Sequence, residues 1–315
     1  LSIKFMKNYT ILFPGQGSQS IGMMDSFSTN TIVKSTFDEA AEHLKKDFWS
    51  MVALENSAIH QTENTQPIML ISGIALWRLL GSLGINKPIS LAGHSLGEFT
   101  ALVAAGVISF TEALDLVTQR AKLMQSAVPD QVGAMAAILG LEDEAVVRVC
   151  QAVQSDEVME PVNFNSPGQV VIAGHRNLIE QSLDSFKEAG AKRAILLPVS
   201  VPSHCSLMIP ASNRFREFLA PMHFNAPELP IIHNVDGQSY NQSDDIKEAL
   251  IKQLFHPVQW TQSIASIISQ GTTTLIECGP GKVLTGLNKR MNKEGLNLAT
   301  DNLAAMHTTI DLING

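Results

Sequence analysis

A serine set between two glycines is the first group in this chain that could do chemistry. Gly93-His94-Ser95-Leu96-Gly97 follows the apolar run Ile89 to Ala92 and precedes a stretch of helical patterning. It reads as a strand, a tight turn with Ser95 at its tip, and a helix starting at Leu96, the arrangement of a nucleophile elbow. The glycines remove Cβ atoms that would obstruct the turn. The helix start presents free N–H groups and the positive end of its dipole to whatever reacts at the serine. An oxyanion forming on an attacked carbonyl would be stabilised there.

A neutral serine hydroxyl needs a base, and nine histidines are available. His94 adjoins Ser95, so its side chain is expected to point the other way. His204, in Val201-Pro202-Ser203-His204, is a candidate because it lies where the chain is expected to re-enter the large domain, near a cleft. Any one histidine is by default a packed or surface residue, and position alone does not single out His204. Cys205 has no glycines around it and reads as a small core residue. An acid that would orient the histidine does not announce itself; Asp236 and Glu277, both near strand ends, stay open. Arg120 is by default a solvated arginine. Its functional alternative is a two-pronged clamp on a substrate carboxylate.

The elements that must position these groups can be read along the chain. Tyr9 to Phe13 is a strand-length apolar run, followed by the loop Gly15-Gln16-Gly17-Ser18-Gln19. That loop has neither a Gly-Lys-Ser/Thr ending nor a third glycine in dinucleotide spacing. Its other use is to bring backbone N–H groups near a reacting carbonyl. One helix is expected over Ser35 to Leu54, and another from Thr65 to Leu83 with Pro67 in its first turn. After the elbow helix, Gly106 is a stop and Thr111 a cap for the helix that carries Arg120. From Gly133 to Val201 the order becomes β-α-β-β-α-β, with a Pro167-Gly168 turn, which is the ferredoxin-like arrangement. The fold expected is a large α/β-hydrolase-like domain with a parallel sheet (1–130 and 202–315) and an inserted small ferredoxin-like domain (131–201). In the returning segment, Ile231 to Val235 and Thr274 to Glu277 read as strands. Ser206 to Pro221, Ile246 to Leu254, Trp260 to Ser269 and the stretch from Val283 read as helices.

Bulk properties narrow the classes. The 315 residues suit about two domains of ~150 residues. The net charge of −8 argues against nonspecific nucleic-acid or membrane-surface binding. Cys150, Cys205 and Cys278 have no metal spacing and suggest a reducing compartment. No apolar run approaches the ~18 residues of a membrane span. Lys4 and Lys7 precede an apolar stretch too short for a secretion signal, so a cytoplasmic protein is expected.

With these residues in hand, the chain from about Tyr9 to Arg290 resembles the malonyl-CoA:acyl carrier protein transacylases of type II fatty acid synthesis. The resemblance rests on Phe13-Pro14-Gly15-Gln16-Gly17-Ser18-Gln19, on Gly93-His94-Ser95-Leu96-Gly97-Glu98, and on the Arg120 helix. It rests further on Pro161 to Gln169, Val201 to His204, Gln253 to Trp260 and Gly279 to Leu284. It implies Ser95 as nucleophile, His204 as general base and then acid, and Gln253 as the residue that orients His204 through its carbonyl. Arg120 would clamp the malonyl carboxylate, and the backbone N–H groups of Gln16 and Leu96 would form the oxyanion hole. Malonyl-CoA and holo acyl carrier protein would be the partners of a monomeric chain, with no metal or prosthetic group required. Lys282, Lys289, Arg290 and Lys293 form a local basic cluster that would suit an acidic carrier protein or CoA phosphates. Two other readings stay open: a thioesterase or esterase on the same elbow, and a carrier-binding scaffold without activity. Ser203, small and beside the base, would leave room for an α-methyl group on the acyl chain.

Overall fold

The nine strands among the described residues are β1 (Tyr9–Phe13), β2 (Ser90–Gly93), β3 (Gly133–Leu139), β4 (Met159–Ser166), β5 (Gln169–His175), β6 (Arg193–Leu196), β7 (Ile231–Ile232), β8 (Thr274–Glu277) and β9 (Leu296–Ala299). The structure is a computed structural model and describes residues 8–153, 155–199 and 201–315. Lys4 and Lys7 lie outside the described residues.

Five strands form one sheet in the order β7-β2-β1-β8-β9, and every neighbouring pair is parallel. A strand at the centre of a helix-covered parallel sheet is buried on both faces and reads as a continuous apolar run. β1 satisfies that, with all five residues buried. Its register sets Phe13 beside Gly93 and Leu12 beside Glu277. The loops after β1, β2 and β8 therefore leave the same edge of the sheet side by side, where open parallel sheets bind ligands.

The other four strands form an antiparallel sheet in the order β4-β5-β3-β6. Its side chains alternate between two apolar layers, as a strand's two-residue period requires. Ala134, Ala136 and Ile138 face Val146, Ile179 and Phe186 of the helices Asp143–Ala152 and Arg176–Glu188. Met135 points the opposite way and packs with Val162, Val171, Ala173 and Cys205. β4 is tied to the other half of the molecule by two backbone hydrogen bonds. Phe164 N–H donates to Val258 O at 3.0 Å, and Val258 N–H donates to Val162 O at 2.8 Å. The segment bearing His204 contacts both halves: His204 N–H donates to Leu254 O, and Cys205 packs with Met135 and Val162.

Several elements differ from the sequence expectation for local reasons. The helix over Ser35 to Leu54 is two helices, Thr31–Leu44 and Phe48–Ala53. Lys45 terminates the first in a left-handed conformation, and the Asp47 side chain caps the second. Ser109 caps the Arg120 helix (Phe110–Gln125) in place of Thr111. Its hydroxyl accepts from Glu112 N, while the Glu112 carboxylate accepts from Ser109 N, a capping box. The helix Thr62–Ser82 begins three residues before Thr65, leaving Pro67 in its interior and not in its first turn. The Ile231 strand is two residues long. β9 and the final helix, Leu303–Asn314, were not anticipated.

Candidate active site

The elbow is built by backbone contact. Ser95 has φ +50°, a left-handed conformation that costs a non-glycine residue energy and is held only by its surroundings. A Cβ added to Gly93 would lie 1.9 Å from Gly97 C, and one added to Gly97 would lie 2.0 Å from Phe13 O. The loop after β1 presses just as closely, since a Cβ on Gly15 would lie 2.4 Å from His94 O and 3.6 Å from Leu96 N. That contact brings the Gln16 and Leu96 backbones together. Among the described residues neither N–H donates to another protein group. Asn234 fastens the turn from below. Its Oδ1 accepts from Ser95 N at 2.7 Å, and its Nδ2 donates to Gly93 O at 2.7 Å.

His204 reaches the serine hydroxyl directly. Its Nε2 lies 2.8 Å from Ser95 Oγ and its Nδ1 lies 2.6 Å from the backbone carbonyl oxygen of Gln253. A carbonyl only accepts, so Nδ1 carries the proton and Nε2 offers its lone pair to the serine hydroxyl. The backbone at His204 is also left-handed, with φ +68°, and its N–H is held by Leu254 O at 3.0 Å. Burial chiefly, and then the positive charge of Arg120, hold the imidazole down to about 3. It is neutral throughout the neutral range.

Arg120 is the buried cation of the site, 1% exposed. Its NH1 donates to Gln66 Oε1 at 2.7 Å, and its NH2 donates to Gln253 Oε1 at 3.0 Å and to Ser95 Oγ at 3.3 Å. The guanidinium lies 5.2 Å from the centre of the Phe99 ring. Its Nε finds no partner among the described residues. Desolvation lowers its pKa to about 10, with the Glu98 charge pulling the other way, so it remains charged at neutral pH. A buried cation with a spare donor facing a nucleophile is suited to receiving an anion.

The remaining sequence candidates fall elsewhere. His94 turns away from the nucleophile, with its Nε2 2.7 Å from Asn165 Oδ1 and its ring on Trp260. Asp236 accepts from Tyr240 OH and from Gln238 N, and Glu277 caps the helix Val283–Asn288 through Leu284 N and Thr285 N. Neither carboxylate contacts His204; a backbone carbonyl holds that place. Cys205 is fully buried and its thiol is pushed up to about 12 by burial. In the basic cluster, Lys282 pairs with Asp301 at 3.4 Å, and Arg290 donates to Ser166 Oγ at 3.4 Å. A cleft of about 340 Å³ opens beside Gln16, lined also by His60, Gln61, Gln125 and Val199. A larger groove of about 560 Å³, between the helices Asp143–Ala152 and Trp260–Ser269, includes none of the groups around Ser95.

Comparison with known proteins places this geometry. Residues 10–309 match the acyl transferase domain family. The malonyl CoA-acyl carrier protein transacylase of Escherichia coli strain K12 is 46% identical over 309 residues, covering 98% of this chain and all of that one. The chain belongs to the malonyl CoA-acyl carrier protein transacylase family. Among solved structures, an acyl carrier protein S-malonyltransferase from Vibrio cholerae superposes with a TM-score of 0.93 at 49% identity, covering 96% of this chain and 100% of that one. A malonyl-transacylase in complex with its type II PKS acyl-carrier protein superposes with a TM-score of 0.95 at 44% identity, covering 97% and 100%. Family membership makes the protein an acyltransferase with a mixed α/β fold built on a parallel sheet.

Sequence reasoning did not find Gln66, Asn234 or the part played by Glu98. Glu98 was visible as the last residue of the elbow motif, and a carboxylate one residue after the second glycine is a signal in itself. Gln66 and Asn234 carried none, because a neutral amide becomes conspicuous only when its burial and partners are known.

Proposed function

We propose that this chain transfers a malonyl group from malonyl-CoA to the phosphopantetheine thiol of an acyl carrier protein, through an ester on Ser95, and so supplies fatty acid synthesis in the cytoplasm. The observation that carries the reading is the Arg120 guanidinium, whose NH2 lies 3.3 Å from Ser95 Oγ. An acyl group on that oxygen would set a carboxylate two carbons along its chain beside a buried cation. The names of the relatives support the same substrates.

In the first half-reaction Ser95 Oγ attacks the thioester carbonyl and gives its proton to His204 Nε2. The Gln16 and Leu96 N–H groups receive the oxyanion. As the carbonyl reforms, the carbon–sulfur bond breaks and His204 returns the proton to the departing CoA thiol. The second half-reaction runs the same steps in reverse order with the carrier thiol as nucleophile, and Ser95 recovers its proton. The substrate carboxylate also assists the base. Arg120 is one of the charges that hold His204 down, and an anion paired with Arg120 weakens that effect. Acetyl-CoA brings no anion and leaves the buried cation unpaired, a loss of about 1–3 kcal/mol or more.

The strand order β4-β5-β3-β6 with its two helices on one face supports reading residues 131–201 as a ferredoxin-like insertion. It would sit in an α/β-hydrolase-like unit made of the remainder. Lys289 and Lys293, with Lys282 and Arg290, are read as the docking face for the acidic carrier. Lys289→Glu with Lys293→Glu then raises KM for carrier protein, and an unchanged KM discards that face. The mass of the intact protein after mixing with malonyl-CoA tests the central reading. A malonyl increment on the wild type that is missing from Ser95→Ala supports it, and an unlabelled wild type refutes it.

A further inference from the structure

One carboxylate that no step above uses ties the working groups of the site together. Glu98 lies in the first turn of the helix Gly97–Ala104 and is fully buried. Its Oε1 accepts from His233 Nδ1 at 2.6 Å. Its Oε2 accepts from the Asn234 backbone N–H at 3.1 Å and from Gln253 Nε2 at 2.9 Å. Three donors thus converge on it, two from the loop after β7 and one from the last residue of the helix Ser243–Gln253.

The consequence for Gln253 is directional. A side-chain amide has one accepting end and one donating end. The Gln253 Nε2 is spent on Glu98 and on Ser95 O, the latter at 2.9 Å, so its Oε1 faces Arg120 NH2. Turned over, the amide would set NH2 against the guanidinium and oxygen against a carboxylate and a carbonyl. Glu98 forbids that orientation. Through Asn234, which holds Ser95 N and Gly93 O, the same carboxylate steadies the turn that carries the nucleophile.

We propose that Glu98 is the positioning residue for acyl-group selection, fixing the Gln253 amide so that the Arg120 guanidinium faces the acyl chain on Ser95. This rests on the malonyl-transfer reading above. The carboxylate acts through its reach. Glutamine at this position keeps an oxygen for Gln253 and Asn234. His233 can then meet the new NH2 by accepting at Nδ1 and carrying its proton on Nε2, which has no partner among the described residues. Aspartate keeps the charge but falls short by one methylene, about 1.5 Å.

The test is a competition between equimolar malonyl-CoA and acetyl-CoA for Ser95, read as the ratio of the two acyl-enzyme masses. A ratio does not depend on how much of a preparation is folded, so loss of stability alone leaves it unmoved. We expect the malonyl:acetyl ratio of Glu98→Asp to fall by about tenfold or more, since a misplacement of this size has large effects on alignment. That of Glu98→Gln stays within about threefold of the wild type. A wild-type ratio in Glu98→Asp overturns the proposal, and so does a tenfold loss in Glu98→Gln. If Glu98→Asp does not fold, the Glu98→Gln ratio decides by itself: retention supports the proposal and loss overturns it. A wild type that takes up no malonyl group sinks the transfer reading instead, which separates the two failures.

Discussion

His204 Nδ1 lies 2.6 Å from the backbone carbonyl oxygen of Gln253, at the place where a serine–histidine–aspartate site sets a carboxylate. A carbonyl fixes the tautomer and the ring orientation as a carboxylate does. It brings no negative charge to stabilise the imidazolium. The positive charge of Arg120 nearby disfavours that imidazolium further, so the base is held in its neutral form until a substrate anion arrives.

Removal of the Gln253 side chain should therefore be milder than loss of a triad aspartate, which costs about 10⁴-fold in rate. In Gln253→Ala the backbone carbonyl remains and His204 keeps its tautomer, while Arg120 loses an acceptor. We expect malonyl loading to fall by about 10–100-fold and acetyl loading to change far less. Stopped-flow acylation with each thioester measures this. Equal losses with both would place the effect on the base.

The depressed His204 sets a pH dependence in two observables. The imidazole binds its proton less readily folded, near 3, than at its ordinary value of 6.5. Between those values the unfolded chain holds more protons than the folded one, so stability is lost as the pH falls through that window. Melting temperature should decline below pH 6.5 and less so in His204→Gln. Loading of Ser95 should show no acid limb near pH 6.5, and an acid limb there contradicts a neutral buried base.

Arg120→Ala removes the buried cation and should cut malonyl loading by at least about 30-fold, the lower end for truncating a buried charge partner. Acetyl loading should hold or rise, because the charge that depresses His204 is gone. Rate constants from intact-mass time courses check both. Equal decline with the two thioesters would remove the carboxylate-clamp role.

Gly97→Ala tests the elbow as a packing device. The added methyl would lie 2.0 Å from Phe13 O, a rigid backbone atom of the central strand. The expected cost exceeds about 4 kcal/mol, or no folded protein is recovered. A chemical denaturation midpoint close to the wild type would show that the contact between the turn and β1 is soft.

Much of this architecture was legible in the chain, and the reasons differ between its parts. β1 and the elbow were readable because a buried parallel strand is continuously apolar and a strained serine turn needs glycine beside it. The antiparallel sheet was readable from its β-α-β-β-α-β order and the Pro167-Gly168 turn, which joins two strands. β9, with an exposed or half-buried residue at every position, left no such signature. The cap of the Arg120 helix was misplaced by two residues because Ser109 and Thr111 are both good caps, and only Ser109 has Glu112 three residues on. Ser95, His204 and Arg120 could be proposed from residue type. Residue type offered only Asp236 and Glu277 for the orienting group, because a backbone carbonyl has no residue type; Gln253 came from the family resemblance alone. The Glu98 network joins residues up to 155 positions apart, a separation that only the folded chain resolves.

The most direct measurement starts from enzyme already carrying malonate. Ser95 is loaded with isotopically labelled malonyl-CoA, free CoA is removed, and holo acyl carrier protein is added. Label is then followed on the enzyme, on the carrier and as free malonate. Transfer through a serine ester predicts that the label leaves Ser95 at a rate that rises with carrier concentration and appears on the carrier thiol. Label that leaves at a rate independent of carrier and appears as free malonate would contradict it, and would make this elbow a hydrolase.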